Sequence, residues 1–103
     1  MGHTYWLAGD DLAGHWWQVD LGREQSLTGI RVKFYQEGNF LYVIQTSVNG
    51  MDWNVASNQT GQTLTDQIRT DRFNAGARYV RIVYNGLPKG LSAGHYSFEV
   101  YGN

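Results

Sequence analysis

In several short stretches of this chain apolar and polar residues alternate with period two, the spacing that sends successive side chains to opposite faces of an extended strand. Trp17, Val19 and Leu21 alternate with Gln18 and Asp20, which predicts a half-buried strand over residues 16–21, ended by Gly22. A second strand is predicted over residues 27–35, with Ile30, Val32 and Phe34 on one face and Arg31, Lys33 and Tyr35 on the other. The polar loop 36–39 follows. Residues 42–47 and 53–56 read as a hairpin, because Asn49-Gly50 between them tolerates the positive φ of a tight turn. Residues 78–84 alternate Val80, Ile82 and Tyr84 against Tyr79, Arg81 and Val83, and residues 97–101 make a closing strand. The Thr- and Gln-rich segment 57–71 leaves room for at most a short edge strand over 64–68.

No apolar stripe at helical spacing competes with this pattern, and 13 Gly against one Pro suits strands joined by turns. Short strands without intervening helices predict an all-β fold, an antiparallel β-sandwich or barrel, and 103 residues are enough for a single domain over 1–103. Aromatic residues make up 15% of the chain and can supply the core, where Trp6, Trp16, Trp17 and Trp53 are expected to pack. A net charge of −1 without a basic run argues against nucleic acid, and apolar runs such as 40–44 are too short to cross a bilayer. Zero cysteines exclude disulfides, thiolate metal sites and a Cys nucleophile. The three His, nine acids and scattered Ser show no motif pairing an acid with a base or a nucleophile with its base, so no enzyme is expected.

The order of short motifs is more telling than any one of them. Thr4-Tyr5-Trp6, then His15-Trp16-Trp17-Gln18-Val19-Asp20-Leu21-Gly22, then Thr28-Gly29-Ile30-Arg31-Val32 run in register with Ser47-Val48-Asn49-Gly50-Met51-Asp52-Trp53, Ala77-Arg78-Tyr79-Val80-Arg81-Ile82 and Glu99-Val100-Tyr101-Gly102. From Thr4 to Gly102 the chain resembles the discoidin family, the coagulation factor V/VIII type C domains, and among them the Cys-free bacterial family 32 carbohydrate-binding modules. The resemblance implies a discoidin-like jelly roll of the galactose-binding-domain type. It also implies a non-catalytic module of a larger secreted or cell-surface protein, recognising a glycan or polysaccharide through loops at one end of the sandwich. Protein adhesion or phospholipid binding is the alternative that the same fold hosts. The slightly acidic charge, with only Phe40-Leu41 and Leu87-Pro88-Lys89 as candidate apolar spikes, argues against a membrane.

Sugar recognition needs an aromatic face against the apolar side of a pyranose and planar polar groups for its hydroxyls. Residues of those types in or beside loops are Tyr5, His15, Asn39, Phe40, His95 and Tyr96. Leu7 stands where some galactose-binding relatives carry a His, which counts against galactose. Arg78 and Arg81 are expected to be structural, paired with residues such as Asp20. In the family the closing Glu, here Glu99, often ligates calcium with an Asp from an N-terminal loop. Relatives carry about thirty further residues before the Thr-x-Trp, including that loop, so calcium would need Thr4 and nearby carbonyls to complete its six to eight ligands. The same departure predicts an uncovered sheet edge and a homodimer formed through it.

Overall fold

The computed structural model describes residues 5–102. Among them there is no helix, and six strands run in the order β1 (Trp6–Leu7), β2 (Trp16–Phe34), β3 (Leu41–Ser47), β4 (Asn54–Asn58), β5 (Ile68–Gly86) and β6 (Gly94–Gly102). Every pairing is antiparallel, and the hydrogen-bonded order is β1-β6-β2-β5-β3-β4.

That single ladder folds on itself into a sandwich because its two central strands are long and bent. β2 and β5 have 19 residues each and pair along nearly their whole length, from Trp16 opposite Val83 to Lys33 opposite Ile68. The register slips between Asp20 and Gln25 and again between Leu27 and Gly29. Bulges of this kind bend a ribbon and raise its twist. Asp20 Oδ1 accepts the Gly22 N–H at the first slip, where Gly22 has φ +87°. At the second, Gly29 (φ +156°) lies so close to the Asp71 carbonyl that a Cβ there would collide with it. The first limb of β2 and the second limb of β5 continue into β3 and β4 as the front sheet; the other limbs continue into β6 and β1 as the back sheet.

Alternation does the rest. Val80, Ile82 and Tyr84 face inward with Tyr42 and Ile44 from the front, and Ile30, Val32, Phe34 and Phe98 meet them from the back, all buried. Contacts across the interior include Trp17 to Phe98 (ring centroids 5.2 Å apart) and Phe34 to Tyr84 (5.9 Å). A buried carboxylate takes part as well: the Tyr42 hydroxyl donates to Asp71 Oδ1 (2.9 Å), and the hydroxyl of the half-buried Ser57 donates to Oδ2 (3.0 Å).

Three expectations need correction. Gly22 does not end a strand; β2 runs on through the bend because both flanks stay paired to β5. The edge strand expected over 64–68 begins only at Ile68, since the carbonyls of Leu64, Thr65 and Asp66 are taken by Asn39, Arg69 and the Gly38 N–H rather than by a strand. Trp6 and Trp17 pack against the core as expected, but Trp16 and Trp53 lie on the outer face of the front sheet. There they clasp the Arg81 guanidinium, 4.3 Å from the Trp16 ring and 3.8 Å from that of Trp53, and the alternation at 16–21, with Trp17 inward, accounts for the outward place of Trp16. Arg78 is paired with Asp20 as expected, by two bonds of 2.8 and 3.0 Å that hold the Asp20 carboxyl below its usual range.

Candidate functional site

Because β2 and β5 double back, the loops 8–15, 35–40, 59–67 and 87–93 all gather at the end of the sandwich opposite the bends. Five of the six candidate ligand residues come from these loops or the strand ends beside them, and Tyr5 directly precedes β1. Their surroundings separate them sharply.

Tyr5 and Tyr96 are brought together. Pairing of Trp6 with His95 sets β1 beside β6, and at the register slip between Lys33 and Phe34 the extra residue, Tyr96, turns outward. Its ring stacks on that of Tyr5, with centroids 5.7 Å apart and planes inclined by 28°. Tyr5 is 58% exposed and Tyr96 48%. The Lys33 ammonium stands 5.8 Å from the Tyr96 ring. The result is a solvent-facing aromatic surface with a cation at its margin.

Phe40 and His95, by contrast, are both fully buried. Phe40 stacks on Phe34 (4.4 Å, 16°) and anchors the start of β3 in the core. His95 points inward from β6, opposite in direction to Tyr96. Its Nδ1 lies 2.8 Å from the Tyr84 hydroxyl, and its ring is walled by Trp6, Trp17 and Phe98. Burial depresses its pKa to about 4, so the imidazole is neutral near pH 7. Among the described residues its Nε2 has no hydrogen-bond partner, and the His95 and Trp17 rings meet edge to face with centroids 5.0 Å apart.

Asn39 is half-buried and works as a clasp: its Nδ2 donates to the carbonyls of Gln62 (2.9 Å) and Leu64 (3.0 Å), tying two loops together. His15 is half-exposed, edge-on to Trp6, with Nε2 2.7 Å from Asp10 Oδ1. That bond, with the Leu12 N–H, keeps the Asp10 carboxyl low. Glu99 lies away from this end, on the outer face of the back sheet, where its Oε1 accepts the Tyr101 hydroxyl (3.2 Å) and lies 3.6 Å from Arg31. Among the described residues no three His, Cys, Asp or Glu side chains gather, and Thr4, the other candidate calcium ligand, lies outside them.

Sequence reasoning missed the outer face of the back sheet beyond Tyr96. Gly29, without a side chain, lines a groove of about 280 Å³ together with Thr28, Thr70, Asp71, Arg72 and Tyr101, the Asp71 carboxylate being held by the Tyr42 and Ser57 hydroxyls. The outward alternation of Arg31 and Lys33 was the available signal.

This geometry has close counterparts. Chitosan-binding module 1 of a chitosanase/glucanase from Paenibacillus sp. IK-5 superposes with a TM-score of 0.80 at 26% identity, over 96% of this chain and 76% of that one. Module 2 of the same enzyme, in complex with chitotriose, gives 0.84 at 22% identity, over 96% and 78%. A Clostridium perfringens module in complex with GalNAc-β-1,3-galactose gives 0.78 at 18% identity, over 96% and 76%. The last two, at such identity, speak for the fold alone. A comparison with curated proteins finds no match. The F5/8 type C domain model matches residues 1–97, and on that match, with the bent-ribbon sandwich and the motifs that build it, the chain belongs to the F5/8 type C domain family.

Proposed function

We propose that this chain is a non-catalytic carbohydrate-binding module whose glycan lies against Tyr5 and Tyr96 at the loop end of the sandwich. The observation that carries the reading is the stacked, exposed tyrosine pair beside Lys33, since an uncovered aromatic surface with a donor at its margin suits one pyranose ring and its hydroxyls. The likeness to a chitosan-binding module at 26% identity supports glycan binding in general. A surface so open buries little of a small sugar, so binding at a single site is weak, and useful retention comes from several modules acting together. The module belongs to a larger secreted protein that supplies any catalysis.

Affinity electrophoresis through a panel of neutral and charged polysaccharides, followed by calorimetry on the best ligand, tests this. Retention on at least one glycan is expected, and Tyr96→Ala or Tyr5→Ala should weaken it about tenfold, the loss of roughly 1.4 kcal/mol of stacking. A folded protein that no glycan retards, or one whose binding ignores both substitutions, would overturn the proposal. Turnover of any glycoside by the pure chain would overturn its non-catalytic part.

A further inference from the structure

The outer face of the back sheet carries a charge pattern that the chain as a whole does not. The net charge is −1, yet beyond the bend the outward charged residues of the second limb of β2 and the first limb of β5 are Lys33, Arg31 and Arg72, faced there by the carboxylate of Glu99 on β6, while Asp20 and Glu24 of β2 stand at the bend. Among the described residues Lys33 and Arg72 have no ion-pair partner. Register aligns these groups. Lys33 lies opposite Ser97 beside Tyr96, Arg31 opposite Glu99, and Gly29 opposite both Tyr101 and Arg72.

The row therefore starts at the Tyr5–Tyr96 surface and ends at the Gly29 groove, where Tyr101, 40% exposed, and Arg72 stand on either side of a residue with no side chain. Five residues of extended strand separate Tyr96 from Tyr101, about 17 Å, which is longer than any single sugar ring. Aromatic surfaces stand at both ends and cations between and beyond them. Such a path suits a chain molecule that is both apolar-faced and negatively charged.

We propose that this face is an extended glycan path, continuous with the Tyr5–Tyr96 surface, and that it selects an anionic polysaccharide whose carboxylate or sulfate groups meet Lys33 and Arg72 while a distal sugar occupies the groove beside Tyr101. The inference rests on the glycan-binding reading above and adds to it a ligand class and a second contact region. A cationic polymer such as chitosan is repelled by the same row.

The test is calorimetry with the whole chain against a uronate disaccharide and hexasaccharide, a sulfated hexasaccharide, a neutral chito-oligosaccharide hexamer and chitosan. An anionic hexamer should bind at least tenfold more tightly than the neutral one at low salt, with the gap closing as salt is raised. A lead by either anion supports the proposal and names its source. Arg72→Gln and Tyr101→Ala should weaken the hexamer severalfold and leave the disaccharide unchanged, and Lys33→Gln with Arg72→Gln should remove most of the charge preference. All these side chains are exposed, and unchanged unfolding midpoints would show that the variants fold.

Equal affinity for neutral and anionic hexamers, with Tyr96→Ala still disruptive, would overturn this inference and leave the proposed function standing. Absence of binding to every glycan would remove both. Equally tight, salt-sensitive binding to phosphatidylserine vesicles or to single-stranded DNA would overturn the assignment to glycans and leave only a surface for polyanions.

Discussion

His95 and Tyr96 are neighbours in the chain, as are Tyr5 and Trp6, yet each pair is divided between two environments. Trp6 and His95 turn into an interior of rings, with Tyr84 and Phe98 in reach, while Tyr5 and Tyr96 stack on each other in solvent. Composition does not distinguish the two clusters, since both are aromatic with a polar margin. The backbone does: the register slip on β6 leaves Tyr96 unpaired and outward beside an inward His95, and Tyr5 stands just before β1 while Trp6 is paired within it. The inner cluster holds the sheets together. The outer one is half exposed, which leaves ring surface open to a ligand.

The sharpest way to test that division is to remove one ring from each side. Phe34 is fully buried and meets Phe40, Tyr42 and Tyr84. Phe34→Ala should cost about 3–5 kcal/mol by chemical denaturation, a large share of what a domain of this size has to lose. If that variant loses less than roughly 1 kcal/mol, the interior is not the close-packed cluster described.

The next effect is electrostatic and belongs only to the inner cluster. His95 has its pKa lowered by burial from the usual value near 6.5 to about 4, so between those values the unfolded chain binds a proton that the folded chain refuses. Stability is therefore full above pH 6.5, declines as the pH falls, and has lost on the order of 3 kcal/mol once it is below 4. Asp71 opposes this at the acid end: burial raises its carboxyl, the folded state holds that proton more tightly, and acidification favours folding there. Denaturation midpoints from pH 7 to 4.5 should fall in the native chain and stay nearly level in His95→Gln. A parallel decline in both would assign the pH dependence to other groups.

These two residues also show what the sequence concealed. The strand faces were legible wherever the inward residues are apolar, as in Ile30, Val32 and Phe34 or Val80, Ile82 and Tyr84. The first limb of β5 was not, because its buried positions are Arg69, met by the carbonyls of Leu64, Asp66 and the distant Gly38, and Asp71, met by the hydroxyls of Tyr42 and Ser57. Of the candidate site, the position of Tyr96 one residue from a buried His95 depends on a register slip that no local pattern announces. Phe40 illustrates the converse. A ring following a polar loop looks exposed, and only the stacking on Phe34 shows it as the first core residue of the next strand. Trp16, in turn, looked like core because of its type, although its place in the alternation already set it outside.

A smaller effect separates support of the site from contact with ligand. Asn39→Ala removes both bonds to the 59–67 loop and should cost about 1–2 kcal/mol, since the Gln62 carbonyl loses its Asn39 donor. Glycan affinity at the tyrosine pair should change little, because the clasp acts on a different pair of loops. If affinity instead falls in step with Tyr96→Ala, Asn39 takes part in the site and the clasp has a second duty.

The smallest effect is the most informative about the outer pair. Exposed stacked rings couple weakly, so a double-mutant cycle on Tyr5→Ala and Tyr96→Ala should yield a coupling of about 0.5 kcal/mol in stability. Each single substitution should move the unfolding free energy by no more than roughly that amount, as is usual for surface sites. A coupling above about 1.5 kcal/mol would mean that the pair is a staple fastening the two-residue β1 to β6, with its exposure incidental. A weak coupling leaves two aromatic rings held beside each other by backbone pairing at Trp6 and His95, and that is the condition under which a ligand can use both faces without unfolding the edge of the sheet.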